Sequence, residues 1–308
     1  MPLRPMLLTD LHGDEALHGL ADRHVPGVLE VTGPVATPLP ILFDSPHSGE
    51  EWPADFAPAL ERYFVDRACD HFVDELVAAA PAHGITLVKA LFPRTYIDAN
   101  RAEHELDAEL VDGTFTGPVI PSEKSKLGKG LIWRLGGNGQ EVYDRRLSIA
   151  EIESRIHGYY RPYHAKISEV HALLEARFGQ VWHINCHSMK SVVTAKEPRT
   201  GVEKRADIVV SDLDGAAADQ ALVGAIVEWF RAQGLNVAVN DPFKGAEILR
   251  RYGQPKNGRH AVQIEVNRAL YMDEIKLIPH TQFHQMRDIL DRFCGFLAAL
   301  VTQSLQVR

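Results

Sequence analysis

The sequence has little cysteine: Cys69, Cys186 and Cys294 are the whole set in 308 residues. An odd, sparse set without paired spacing excludes a disulfide framework and fits a reducing compartment, so a cytoplasmic protein is expected. Positive charge is also short, with 33 Lys and Arg against 41 Asp and Glu and a formal net charge of −8. A nucleic-acid partner needs a net basic surface, so that class is excluded. No run of 18 apolar residues exists, which excludes a membrane-spanning helix. The opening residues, with Pro2, Pro5 and only Arg4 as a charge before Asp10, lack the apolar core and small-residue cleavage site of a signal peptide. No internal repeat, low-complexity stretch or linker divides the chain. We therefore expect one domain over residues 1–308, with 1–26 as an irregular arm or lid.

What is present is an alternation of strands and helices. Residues are 45% hydrophobic, enough for a sizeable core. Apolar runs predict strands at Val28–Val31, Ile41–Ser45, Ile85–Phe92, Val181–Cys186, Ala206–Val210, Asn236–Val239 and Ala261–Val266. Helical spacing of Ala68, Phe72, Leu76 and Ala79 predicts a helix over Asp66–Ala80. A capping box at Ser148 and Glu151 opens a long helix toward Phe178, with a kink expected at Pro162. Further helices are predicted over Ala216–Gln233 and Thr281–Leu300. The pattern predicts an α/β fold, a single domain with a central mixed β-sheet flanked by helices. Residues 93–147 carry Gly runs and no clear periodicity, which in a segment this long marks a functional region.

Four strand ends carry polar groups. The first is His47 with Glu50, an imidazole and a carboxylate three residues apart in a tight turn. The second is Arg94 followed by Asp98, Asn100 and Arg101. The third is Asn185-Cys186-His187-Ser188. The fourth is Glu265, a carboxylate inside an apolar strand pattern. Two His and one Glu supply nitrogen and oxygen donors that suit zinc and leave a position open for water. A further Glu near that water is the expected general base. Cysteine chemistry is disfavoured, because Cys186 and His187 are strand neighbours that point to opposite faces.

The order His47-x-x-Glu50, Asp98-x-Asn100-Arg101, His187, Glu265 resembles the zinc carboxypeptidase and aspartoacylase group. Within it the chain most resembles the N-formylglutamate amidohydrolase family, through Ser45-Pro46-His47-Ser48-Gly49, Gly128-Lys129-Gly130-Leu131-Ile132, Asn185-Cys186-His187-Ser188 and Glu265-Val266-Asn267-Arg268-Ala269-Leu270-Tyr271. The resemblance covers about residues 40 to 275. One position departs from it: after Asn240-Asp241-Pro242-Phe243-Lys244 this chain has Gly245-Ala246 in place of a double glycine.

The resemblance implies a carboxypeptidase-like fold and zinc-dependent hydrolysis of N-formyl-L-glutamate to formate and L-glutamate, the last step of one histidine degradation route. One zinc ion would be held by His47, Glu50 and His187. Asp98 would orient the His47 ring. Glu265 would deprotonate zinc-bound water and Arg94 would stabilise the oxyanion. Asn100 and Arg101 would bind the α-carboxylate. A second cation should read the side-chain carboxylate, with Arg134 and Lys244 as candidates. The partner implied is an acidic N-acyl amino acid. The alternatives are a related metal-dependent N-acyl-amino-acid amidohydrolase or carboxypeptidase, or a non-catalytic protein that binds small acids.

Overall fold

The computed structural model describes residues 23–115, 117–192 and 204–306. Residues 1–22 of the expected arm lie outside the described residues. The run Ile41-Leu42-Phe43 is apolar on both faces, as a strand covered on both sides must be. It forms strand β3 (Ile41–Ser45), buried throughout, near the middle of an eight-stranded sheet. The other strands are β1 (His24–Val25), β2 (Leu29–Thr32), β4 (Thr86–Ala90), β5 (Val181–Met189), β6 (Ile208–Ser211), β7 (Val237–Val239) and β8 (Arg259–Asn267). Their order across the sheet is β1-β2-β4-β3-β5-β8-β6-β7.

The sheet is mixed. β3 runs parallel to β4 and β5, and β5 runs parallel to β8, while β2 joins β4 and β6 joins β8 antiparallel. Two rows of the register matter for the site. Asn185 lies beside Asp44 on one side and Gln263 on the other. Two residues further along, His187 lies beside Glu265. Residues two apart on a strand share a face, so these groups point to the same side of the sheet.

That side is covered by the helix Arg161–Phe178 and by the loop region between β4 and β5. The opposite side packs on helices Gln220–Ala232 and Phe283–Gln306, where Phe43, Ile184, Cys186, Phe230 and Phe293 form one core. Cys186 is thus buried on the face away from His187, as strand alternation requires. The three cysteines are unpaired and buried.

The Ser148 capping box forms, with the Ser148 hydroxyl accepting from Glu151 N–H and the Glu151 carboxylate accepting from Ser148 N–H. The long helix is interrupted where a proline was expected to act. A π-turn at Ile156–Tyr160 precedes Pro162 and takes up the disruption of the ladder.

The predicted helix over Asp66–Ala80 is the one clear departure. Within that span the α-helix is confined to Val73–Leu76, preceded by Phe72 at φ 64°, and a separate short helix, Arg62–Asp66, ends where the expected one begins. Tertiary bonds explain the break. The Asp70 N–H donates to the His47 carbonyl at 2.9 Å, and the Asp70 side chain receives Arg268 Nη2 at 2.9 Å. A continuous helix would carry Asp70 away from both partners. Ser148→Ala removes one cap from the long helix and should lower the unfolding free energy by about 1 kcal/mol. Urea denaturation followed by circular dichroism measures it, and an unchanged midpoint would contradict the capping role.

Candidate active site

The chain bends after β3 at Pro46-His47, and Gly49 then passes close to the end of β4. A Cβ built on Gly49 would stand 2.3 Å from the Leu91 carbonyl carbon, so only glycine fits against that strand end. This close approach aims His47 along the C-terminal edge of the sheet. There its Nδ1 lies 3.0 Å from His187 Nδ1 and 3.5 Å from Asp70 Oδ2, and His187 Nδ1 lies 3.0 Å from the same Asp70 oxygen. All three residues are buried.

Hydrogen bonding decides what those nitrogens carry. His47 Nε2 faces Asp98 Oδ1 at 2.7 Å, so its proton sits there. His187 Nε2 faces Asn185 Oδ1 at 2.7 Å. The Asn185 amide cannot be turned round, because its Nδ2 donates to the Asp44 carboxylate at 2.8 Å. His187 therefore also carries its proton on Nε2. Both Nδ1 lone pairs then converge with a carboxylate oxygen. Zinc at about 2.0–2.2 Å from each donor would set donor separations near the observed ones. The residues present fit a cation with nitrogen and oxygen preference.

Asp98 is fully buried and also accepts from Arg94 Nη2 at 2.9 Å and Trp133 Nε1 at 3.1 Å. Burial opposes its ionisation, but Arg94, His47 and Arg101 outweigh burial and hold the carboxyl well below the usual range. Burial likewise opposes ionisation of Asp70, and His187, His47 and Arg94 overcome it. Glu265 differs. Burial dominates and raises its carboxyl to about 7, against the opposing pull of His187 and with Asp70 adding to the rise. Gln263 Nε2 donates to Glu265 Oε1 at 2.8 Å and fixes the side chain. Asn100 has its Oδ1 bound by Ile248 N–H at 2.9 Å, which turns its amide nitrogen toward the Asn185 and Gln263 side-chain oxygens at 3.3 and 3.4 Å.

A cavity of about 460 Å³ opens above these groups. Of the residues singled out in the sequence, His47, His187, Glu265, Arg94, Asn100, Arg101 and Lys244 line it. Arg101 is anchored through Nε to the Lys129 carbonyl and through Nη1 to the Asn100 carbonyl.

Two expectations are placed elsewhere, and a third stands only at the rim. Glu50 does not reach the histidine pair: its carboxylate bonds to His71 Nδ1 and its side chain is 49% exposed. The carboxylate at the histidine pair is Asp70. Arg134 does not line the cavity, because Asp107 at 2.7 Å and Glu109 at 2.8 Å hold its guanidinium in a separate acidic cluster. Lys244 sits at the rim, 60% exposed and paired with Asp214 at 2.8 Å. The sequence reading missed Asp70, Asp44, Gln263 and the inward turn of Arg268. Asp70 carried no signal, since it falls off the apolar stripe of the expected helix and reads as a solvated residue.

The departure at Gly245-Ala246 is harmless to the backbone. Gly245 holds the left-handed conformation at φ 100°, whereas Ala246 has φ −139°, which any residue adopts.

Residues 39–272 match the family model described as N-formylglutamate amidohydrolase. The chain belongs to the N-formylglutamate amidohydrolase family. It is 29% identical over 242 residues to an N-formylglutamate deformylase of Pseudomonas aeruginosa, covering 77% of this chain and 83% of that protein. An N-formylglutamate deformylase of Pseudomonas putida is also 29% identical, over 247 residues, with the same coverage. The crystal structure of an N-formylglutamate amidohydrolase from Ralstonia eutropha JMP134 superposes with a TM-score of 0.85 at 37% identity, over 90% of this chain and 99% of that one. Membership in this amide-hydrolysing family agrees with the resemblance read from the motifs. Among the described residues, no helix is long and apolar enough to cross a membrane.

The two carboxylates, Glu50 and Asp70, make opposite predictions. Zinc-loaded Asp70→Ala and His187→Ala should lose the bound metal, while Glu50→Ala should retain one zinc per chain. Elemental analysis after gel filtration measures it, and full zinc in Asp70→Ala would remove that residue from the ligand set.

Proposed function

We propose that this chain hydrolyses the amide of N-formyl-L-glutamate to formate and L-glutamate, with zinc held by His47, Asp70 and His187. The observation that carries the reading is the convergence of two lone-pair nitrogens and a carboxylate beside a second, differently tuned carboxylate, Glu265. The names of the relatives support the substrate. When bound, zinc supplies Lewis-acid polarisation of the carbonyl and acidifies water.

The chain's own residues do the rest. Glu265 lies directly beside His187 on the neighbouring strand and is held by Gln263, so it can take a proton from the attacking water. The water oxygen bonds to the formyl carbon, the carbon–nitrogen bond breaks, and Glu265 returns the proton to the leaving amine. Arg94 is fixed by Asp98 through Nε and Nη2, stacks at 4.9 Å over Trp133 and lies with Nη1 3.5 Å from Asp70 Oδ1, so a preorganised cation lines the cavity where the oxyanion develops. Asp98 and Asn185 hold the two imidazoles in the tautomer that presents Nδ1. Asn100 and Arg101, on the same wall, offer donors to the substrate α-carboxylate.

Glu265→Gln keeps the shape and the Gln263 contact but cannot accept a proton. It should retain zinc and lose at least ~10²-fold in kcat on N-formylglutamate. A kcat within a factor of two of wild type would exclude Glu265 as the base.

A further inference from the structure

A substrate with two carboxylates needs a second cation, and neither Arg134 nor Lys244 is placed to be it. The cavity wall contains several positive groups, and most are already engaged. Arg268 donates to Ser188 Oγ, to Asp70 and to the backbone carbonyls of Arg67 and Cys69. Arg94 belongs to Asp98. The Lys129 ammonium lies 5.4 Å over the Trp133 ring, the Arg67 guanidinium 5.7 Å over Tyr63, and the Arg205 guanidinium 5.1 Å over Phe243.

Lys190 is different. It stands one residue past the end of β5, lines the cavity, and is partly buried. Among the described residues its ammonium has no ion pair, hydrogen bond or aromatic ring. Its charged neighbours are Arg268, Arg67 and Lys129, all of its own sign, and Glu274, whose oxygens are turned to the Ser191 N–H at 3.1 and 3.4 Å. Burial lowers the ammonium to about 8 and the like charges push the same way. A Cβ on Gly137 would stand 3.6 Å from Lys190 Nζ, so the ammonium lies against the Gly136-Gly137 turn, which closes over it without a side chain.

An ammonium held in a cavity among like charges is an anion site. Its distance from the histidine pair also suits. Three residues of extended chain separate His187 from Lys190, roughly 10 Å. A glutamyl substrate spans about 6 Å from formyl carbon to side-chain carboxylate, and the lysine side chain covers the remainder.

We infer that Lys190 is the specificity residue of this enzyme, binding the side-chain carboxylate of a dianionic N-acyl amino acid whose α-carboxylate faces Asn100 and Arg101. This rests on the amidohydrolase reading above. The test compares the zinc-loaded full chain with Lys190→Met and Lys190→Arg, on N-formyl-L-glutamate and N-formyl-L-glutamine, which differ by one charge. Lys190→Met should lose roughly 30-fold in kcat/KM on N-formylglutamate, mostly through KM, the scale of one charge-assisted hydrogen bond. Its loss on N-formylglutamine should be several times smaller, and that turnover also shows that the variant folds. Lys190→Arg should recover most of the preference. Equal losses on the two substrates, or a wild type that does not prefer the charged one, would overturn the assignment. Calorimetric binding of L-glutamate and L-glutamine separates this inference from the reaction itself. A glutamate preference that vanishes in Lys190→Met supports the assignment even where no hydrolysis is seen, which would count against the amidohydrolase reading alone. Glutamate binding unchanged by Lys190→Met would overturn it.

Discussion

Two imidazole lone pairs and a carboxylate oxygen that meet in a buried space repel one another unless a cation lies among them. The rest of the site is arranged to keep that convergence in place. Asp98 and Asn185 hold the outward ring nitrogens of His47 and His187 as donors, so the inward nitrogens face each other and Asp70. Asn185 is itself held by Asp44, which also accepts from His183 Nε2 and Tyr163 Oη at 2.8 Å each. A rigid polar chain thus runs from the strand ends into the sheet. Its cost is the burial of three carboxylates, Asp44, Asp70 and Asp98, each offset by several donors or positive groups rather than by one partner.

The same arrangement separates two kinds of acid. Asp70 and Asp98 stay ionised because imidazoles and Arg94 outweigh burial. Glu265 sits one strand away, where burial and the Asp70 charge win, and its carboxyl rises to about 7. Neighbouring carboxylates pushed in opposite directions are what a ligand and a proton acceptor require. The net charge of −8 is a poor guide to this region. Arginines and lysines from seven separate segments turn toward one cavity, so the local field is positive on an acidic molecule.

The mixed sheet, most of its strands and the long capped helix were legible in the sequence, because burial of a strand on both faces and a capping box both leave local marks. His47, His187, Glu265, Asp98, Asn100 and Arg101 were legible as polar groups near strand ends, and the structure brings them to one place. Asp70 was hidden because its segment has helical spacing. The bonds that break that helix, to the His47 carbonyl and to Arg268, come from residues 23 positions before and 198 positions after it. Arg134 misled for the converse reason. It lies in the apolar run Leu131-Ile132-Trp133-Arg134-Leu135 and is fixed and partly buried, but its partners are Asp107 and Glu109.

The sequence by itself determined the type of fold, the family and the chemical kinds of group at the strand ends. These depend on periodicity and short motifs, which are properties of neighbouring residues. Only the tertiary structure decided which carboxylate stands beside the histidines, which cations are already paired and which one faces the cavity without a partner among the described residues. Those are questions of distance and competition between groups far apart in the chain, and they have answers only once the sheet has brought the groups together.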